Sequence, residues 1–224
     1  MKRDGLDELW QPGYSFADSD YLAGVSGGTS KRWLTGYSYR RGEKRLHQPP
    51  VSGFAADQAV SFIDLLDVVA IGRLKEFGIP LRAIRTIVSN CQEMFEVDRP
   101  LSRLQFKVGG RDVFVSVGEH VTEVGRRKGM QAWNEVLKPF LRDIDYAEPE
   151  GIARRWWPLG HTGPIVLDPD YAFGFPVIRN SGVRTEIILE RFQAGDLHDQ
   201  IAQDFNVDPI EVERALQFEL SRAA

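Results

Sequence analysis

The chain has 224 residues, of which 28 are Lys or Arg and 32 are Asp or Glu, with four histidines, one cysteine and a formal charge of −4. That length allows two modest domains, each with its own core, and no apolar run approaches the ~20 residues of a bilayer span. The opening MKRDGLDELW lacks the apolar middle of an export signal and the single cysteine excludes an internal disulfide, so a soluble cytoplasmic protein is expected.

From Tyr14 to His47 the sequence reads as a short helix, a glycine-marked turn, a second short helix and a basic hairpin. Phe16, Leu22 and Val25 anchor the first half, and Trp33 and Leu34 the second, on one patch of core. Ser26 is expected to cap the second helix, which would run from near Gly27 to about Thr35. With Trp33 and Leu34 inward, Thr29, Lys31, Arg32 and Thr35 are left on other faces. The next stretch carries Arg40, Arg41, Lys44, Arg45 and His47 around a turn at Gly42. Between Thr29 and His47, six Lys or Arg residues stand against one acid, Glu43. Such a concentration attracts phosphates. A helix in the major groove beside a basic hairpin would put Thr29, Lys31, Arg32 and Thr35 in the groove of double-stranded DNA and Arg40, Arg41, Lys44 and Arg45 on its phosphates. A solvated surface loop is the plainer reading of the same charges.

QPPVSGF then ends regular structure, and the spacing predicts a helix from about Ala56 to Phe77 on Val60, Ile63, Leu66, Leu74 and Phe77. Gly78 stops it. Pro80 fits the first turn of another helix, whose apolar side is Leu81, Ile84, Ile87, Val88, Cys91 and Phe95, with Cys91 a small core residue. Leu104, Phe106 and Val108 alternate before the turn at Gly109 and Gly110, and Val113 and Val115 return, which predicts a β pair. Residues 116–158 read as a linker with docking capacity around one helix, from Met130 to Leu141. Within it lie Arg126, Arg127, Arg154, Arg155, Trp156 and Trp157. If that segment is extended, the two tryptophans point to opposite sides, leaving one to anchor a partner; a core contact is the plainer reading of either.

Ile165–Leu167 reads as a strand, Asp168-Pro169 as a turn and Val177-Ile178 as a second strand before a helix opened by Thr185 and ended by Ala194-Gly195. Asp196 is expected to cap the next helix, on Ile201, Ala202 and Phe205, and Asp208-Pro209 to start the last, on Val212, Ala215, Leu216 and Leu220. Charge divides along the chain: residues 1–111 carry 16 bases and 13 acids, residues 161–224 only 5 against 11. The acidic C-terminal helices are therefore not expected to be the principal DNA reader.

Catalytic chemistry has no foothold in these patterns. His47, His120, His161 and His198 are scattered, no cysteine or carboxylate stands at metal-ligand spacing, and no glycine pair opens a phosphate-binding loop. Neither an enzyme nor a cofactor is expected.

Two stretches resemble known families. Phe16, Ala17, Leu22, Gly24, Val25, Ser26, Trp33 and Tyr37 resemble the winged helix-turn-helix of MerR-like regulators, as does the helix pair AVSFIDLLDVVAIGRLKEFGIPLRAIRTIV. More specifically, Asp168, Pro169, Gly174, Pro176, Val177, Ile178, Gly182, Arg184, Thr185, Gly195, Ile201, Asp204, Phe205 and Val212 resemble a short bacterial domain of unknown function common in antitoxins. The chain departs from that domain where an Arg-Gly-Thr-Arg run is usual, reading Arg179-Asn180-Ser181-Gly182-Val183-Arg184 instead. Together the two resemble the VapB-type antitoxins, which implies a mainly α protein with small β hairpins. Its parts would be a MerR-like winged helix-turn-helix at 10–115, a docking linker at 116–158, and a C-terminal domain of small β and three helices at 159–224. The resemblance further implies a homodimer on operator DNA that represses its own operon and neutralises a PIN-type ribonuclease toxin. Arg126, Arg127, Arg154 and Arg155 are its candidates to meet the toxin's metal-binding carboxylates, with Trp156 and Trp157 beside them. A stand-alone MerR-like regulator that senses a ligand through its C-terminal half is the competing reading, and a hydrolase or nuclease the third.

Overall fold

The computed structural model describes residues 7–53, 59–103 and 131–223. The predicted β pair at 104–115 and the segment carrying Arg126 and Arg127 lie outside them. The chain separates into two compact units, one built from residues 10–142 and 146–153, the other from 143–145, 154–224 and the start of the chain.

After a single turn, α1 (Asp7–Trp10), strand β1 (Pro12–Tyr14) pairs antiparallel with β4 (Val60–Ser61). Helices α2 (Phe16–Ala23) and α4 (Phe62–Glu76) start the same way. Ser15 and Ser61 each accept the N–H of the residue three on, and the carboxylates of Asp18 and Asp64 return to the serine N–H groups. This reciprocal cap, together with the β1–β4 pairing, explains why α4 begins at Phe62 rather than near Ala56. Helix α4 is apolar on nearly every side and buried along almost its whole length, as a central helix must be. Helix α3 (Thr29–Thr35) packs against it, and Gly72 lets the turn between α2 and α3 come close: a Cβ there would lie 3.1 Å from Val25 Cγ1. Helix α5 (Leu81–Phe95) is amphipathic, burying Ile84, Ile87, Val88 and Cys91, and Pro80 stands at its N-cap rather than inside its first turn. Burial pushes the Cys91 thiol up to about 12, which fits an inert core residue.

One ionic cluster lies inside this unit. Arg99 meets Asp64 at 2.6 Å and Asp67 at 3.3 Å, and donates to the Ser52 hydroxyl at 3.1 Å; Ser52 in turn donates to Asp67. All four are buried. Arg99 thus ties the segment after the hairpin to α4. The predicted helix ending at Leu141 is present as a π-helical turn, Trp133–Leu137, running into α6 (Lys138–Arg142), with Phe140 beneath the Arg73 guanidinium at 4.9 Å.

Residues 143–158, read from sequence as part of a linker, are folded. Strand β5 (Ile144–Ala147) pairs with β6 (Ile152–Trp156). In the C-terminal unit β7 (Ile165–Val166) pairs antiparallel with β8 (Val177–Ile178), and α7 (Thr185–Gln193), α8 (His198–Phe205) and α9 (Pro209–Ala223) follow. Ile178, Ile188, Ile201, Ala202, Val212, Ala215 and Leu216 form their common core. Asn206, in the left-handed conformation, ends α8 two residues before Asp208, whose carboxylate accepts the Ile210 N–H at 2.9 Å and so starts α9. Asp196 does not cap α8 as expected. It is drawn back to Arg191, and Leu197 occupies the N-cap.

Candidate nucleic-acid interface

The cationic surface is built by α3 and the hairpin that follows it, β2 (Tyr37–Arg41) and β3 (Lys44–Gln48). Helix α3 is seven residues long and its first turn has no local side-chain cap: Gly28, at φ 76°, rather than Ser26, takes the N-cap position. The cap comes from α2. Asp20 accepts the Gly28 N–H at 2.6 Å through one carboxylate oxygen and the Ser30 N–H at 2.7 Å through the other. Ser30 also donates to the Phe16 carbonyl at 3.1 Å. The two short helices are therefore locked by polar bonds as well as by the buried Leu22, Trp33 and Leu34. Sequence spacing passes over Asp20, because it caps a helix that begins nine residues later.

Of the residues expected on the open face of α3, Lys31, Arg32 and Thr35 are exposed, but Thr29 is buried at 8 %. That expectation is corrected: the start of the helix turns inward beneath Asp20, taking Thr29 and Ser30 with it. The exposed side chains are partly engaged. Thr35 donates to the Lys31 carbonyl at 2.7 Å, Arg32 reaches back to the Gly28 carbonyl at 3.1 Å and the Thr29 hydroxyl at 3.3 Å, and the Lys31 ammonium sits 5.8 Å over the Phe16 ring.

In the hairpin, Tyr37 faces Gln48, Ser38 faces His47, Tyr39 faces Leu46, Arg40 faces Arg45 and Arg41 faces Lys44, around the Gly42-Glu43 turn. Two like-charged pairs thus lie directly opposite each other on exposed strands, an arrangement that repels itself. A polyanion laid along the tip relieves that repulsion, and the chain supplies no ion pair to these four side chains among the described residues. The base of the hairpin is rigidly set. Gly36 has φ 76°, and a Cβ on it would lie 2.6 Å from the Gln48 carbonyl oxygen. Val51 N–H donates to the Trp33 carbonyl at 2.7 Å and the Arg85 guanidinium to the Pro49 carbonyl at 3.2 Å.

The candidate docking residues of the C-terminal unit stand differently. Trp156 and Trp157 are both buried, at 1 % and 8 %, so the expectation that one is an exposed anchor is corrected. The Trp156 backbone exchanges bonds with Leu167, and Trp157 packs with Val166 and Val177 while its indole N–H donates to Asp145 at 2.9 Å. Arg154 pairs with Asp170 at 2.5 Å and Arg155 with Asp168, which leaves neither guanidinium unpartnered. Asp145 also bonds His161 at 2.9 Å, and the two hydrogen bonds hold its carboxyl below the usual range against the opposing effect of burial.

Among the described residues no group of three or more His, Cys, Asp or Glu is placed to hold a metal ion, and no helix is long and apolar enough to cross a membrane. Comparison with known proteins adds three findings. Residues 165–218 match the family described as "Protein of unknown function (DUF433)". A Mycobacterium tuberculosis (strain ATCC 25618 / H37Rv) protein named as a candidate antitoxin, VapB45, is 22 % identical over 226 residues, covering 92 % of each chain. The crystal structure of Rv2018 from Mycobacterium tuberculosis superposes with a TM-score of 0.71 at 20 % identity, over 92 % of this chain and 98 % of that one. The DUF433 match falls on the strand pair β7–β8 and the three helices after it, and the Rv2018 likeness shows that this mainly helical fold with small antiparallel hairpins recurs almost end to end in a solved structure.

Proposed function

We propose that the protein is an antitoxin that binds operator DNA through α3 and the β2–β3 hairpin and neutralises a cognate PIN-type ribonuclease toxin, acting by binding rather than by turnover. The observation that carries the DNA half is the hairpin with Arg40 opposite Arg45 and Arg41 opposite Lys44, exposed and unpaired with acids among the described residues. The toxin half is supported by similarity to a protein named for antitoxin function across 92 % of both chains. In this reading the α2–α3 pair and the hairpin are a MerR-like winged helix-turn-helix. Lys31, Arg32 and Thr35 face the groove, and the hairpin cations hold the phosphates of a palindromic site shared by two copies. The protein works as a cytoplasmic repressor of its own operon.

The test has two arms. In the first, replacing Arg41 and Lys44 with alanine weakens binding to promoter and unrelated duplexes alike and reduces the slope of log affinity against log salt by about two. An unchanged slope refutes phosphate contact by the hairpin. In the second, co-expression with the product of the adjacent gene yields a complex by size exclusion and relieves that product's toxicity. Free migration of both proteins with toxicity intact refutes the antitoxin half.

A further inference from the structure

The C-terminal unit is acidic, yet two of its arginines, Arg179 and Arg214, have no ion-pair partner among the described residues. Both line one cleft of about 570 Å³, together with Leu159, Ile210, Asp208 and Glu211. That is the size of a small-molecule site. Arg179 is held ready: its guanidinium lies 5.5 Å over the Trp157 ring and donates to the His161 carbonyl at 3.4 Å. Arg214 is braced by a bond to Gln217 at 3.1 Å. Two positioned guanidinium groups with open donors are the usual recognition elements for a carboxylate.

The two acids of the lining decide which anion fits. Asp208 and Glu211 are occupied at the start of α9, Asp208 accepting the Ile210 N–H at 2.9 Å and Glu211 the Asp208 N–H at 3.1 Å. Their charge nevertheless balances that of the arginines, so a polyanion such as nucleic acid gains nothing there. A single negative charge suits such a lining. Leu159 and Ile210, both exposed, offer apolar walls for the rest of the ligand. We infer that this cleft binds a small organic acid, its carboxylate between Arg179 and Arg214 and its apolar body against Leu159 and Ile210. The inference is independent of the DNA and toxin assignments, since none of the residues proposed for those contacts lines the cleft.

The Trp157 indole N–H reports on the site through its contact with Arg179. Hexanoate, hexanol and inorganic phosphate are titrated into the nitrogen-15-labelled full chain, with the Trp157 signal assigned from the Trp157→Phe variant. Hexanoate is expected to shift that signal saturably. Hexanol, which has the body without the charge, and phosphate, which has the charge without the body, should each bind about tenfold more weakly. Arg179→Gln and Arg214→Gln should each abolish the hexanoate shift. Should Arg179→Gln disturb the fold, Arg214→Gln decides, because it leaves the Arg179–Trp157 contact in place. No saturable shift, an equal response to hexanol or phosphate, or an undiminished response in Arg214→Gln overturns the site.

Discussion

Asp67 is fully enclosed, and burial pushes its carboxyl up to about 6 even though Arg99 and the Ser52 hydroxyl favour its ionised form. In the unfolded chain the same group titrates near 4. Between those values the folded state holds a proton that the unfolded chain releases, so this group's contribution to stability falls as pH rises through the window and is at its lowest above about 6. The whole change is on the order of 3 kcal/mol. Asp67→Asn removes it. Urea unfolding of both proteins between pH 4 and 7 should show the variant gaining on the wild type as pH rises, and a difference that stays constant with pH would refute the assignment. A second buried polar contact, from the Thr185 hydroxyl to the Glu219 carboxylate, ties α7 to α9.

The hairpin β2–β3 is the element on which the proposed DNA binding rests, and its attachment is stricter than its exposed strands suggest. Gly36 combines a left-handed φ with a carbonyl at 2.6 Å from any added Cβ, so Gly36→Ala meets both backbone strain and a backbone clash. A loss of about 2 kcal/mol is expected from the strain alone, with faster amide exchange across Tyr37–Gln48 and weaker duplex binding. An unaltered melting temperature with unaltered exchange would show that the base of the hairpin can relax. Helix α3 is a contrasting element: its core side was legible from Trp33 and Leu34, and its open side only in part. Lys31, Arg32 and Thr35 are exposed as the spacing implies, whereas Thr29 is turned inward by a cap contributed from α2. Local periodicity describes a helix as if it stood alone, and a seven-residue helix takes its orientation from its neighbours.

Across the molecule, what could be read from sequence was local. The start of α7 at Thr185, the stop at Gly195 and the Asp208-Pro209 start of α9 all depend on residues within a turn of each other, and all are present. What was missed joins distant positions. Arg99 meets residues 47 and 32 positions away, Trp157 is enclosed by Val166 and Val177, and the cleft draws Leu159, Arg179 and Arg214 together from separate elements. The basic surface was found because its charges are consecutive on one hairpin. The cleft was not, because its two arginines stand 35 positions apart in an acidic stretch and acquire meaning only by being brought to the same wall.

Asp20 carries a consequence for the proposed grip on DNA. Many proteins seat a phosphate on the bare amides at a helix entrance, but here the Gly28 and Ser30 amides are already occupied by an internal carboxylate whose negative charge would repel an incoming phosphate. That door is shut from within. Any hold on the sugar–phosphate chain beside α3 must therefore come from side chains, which makes the strength of the grip a matter of arginine and lysine number and leaves it unusually open to tuning by single substitutions at the hairpin tip.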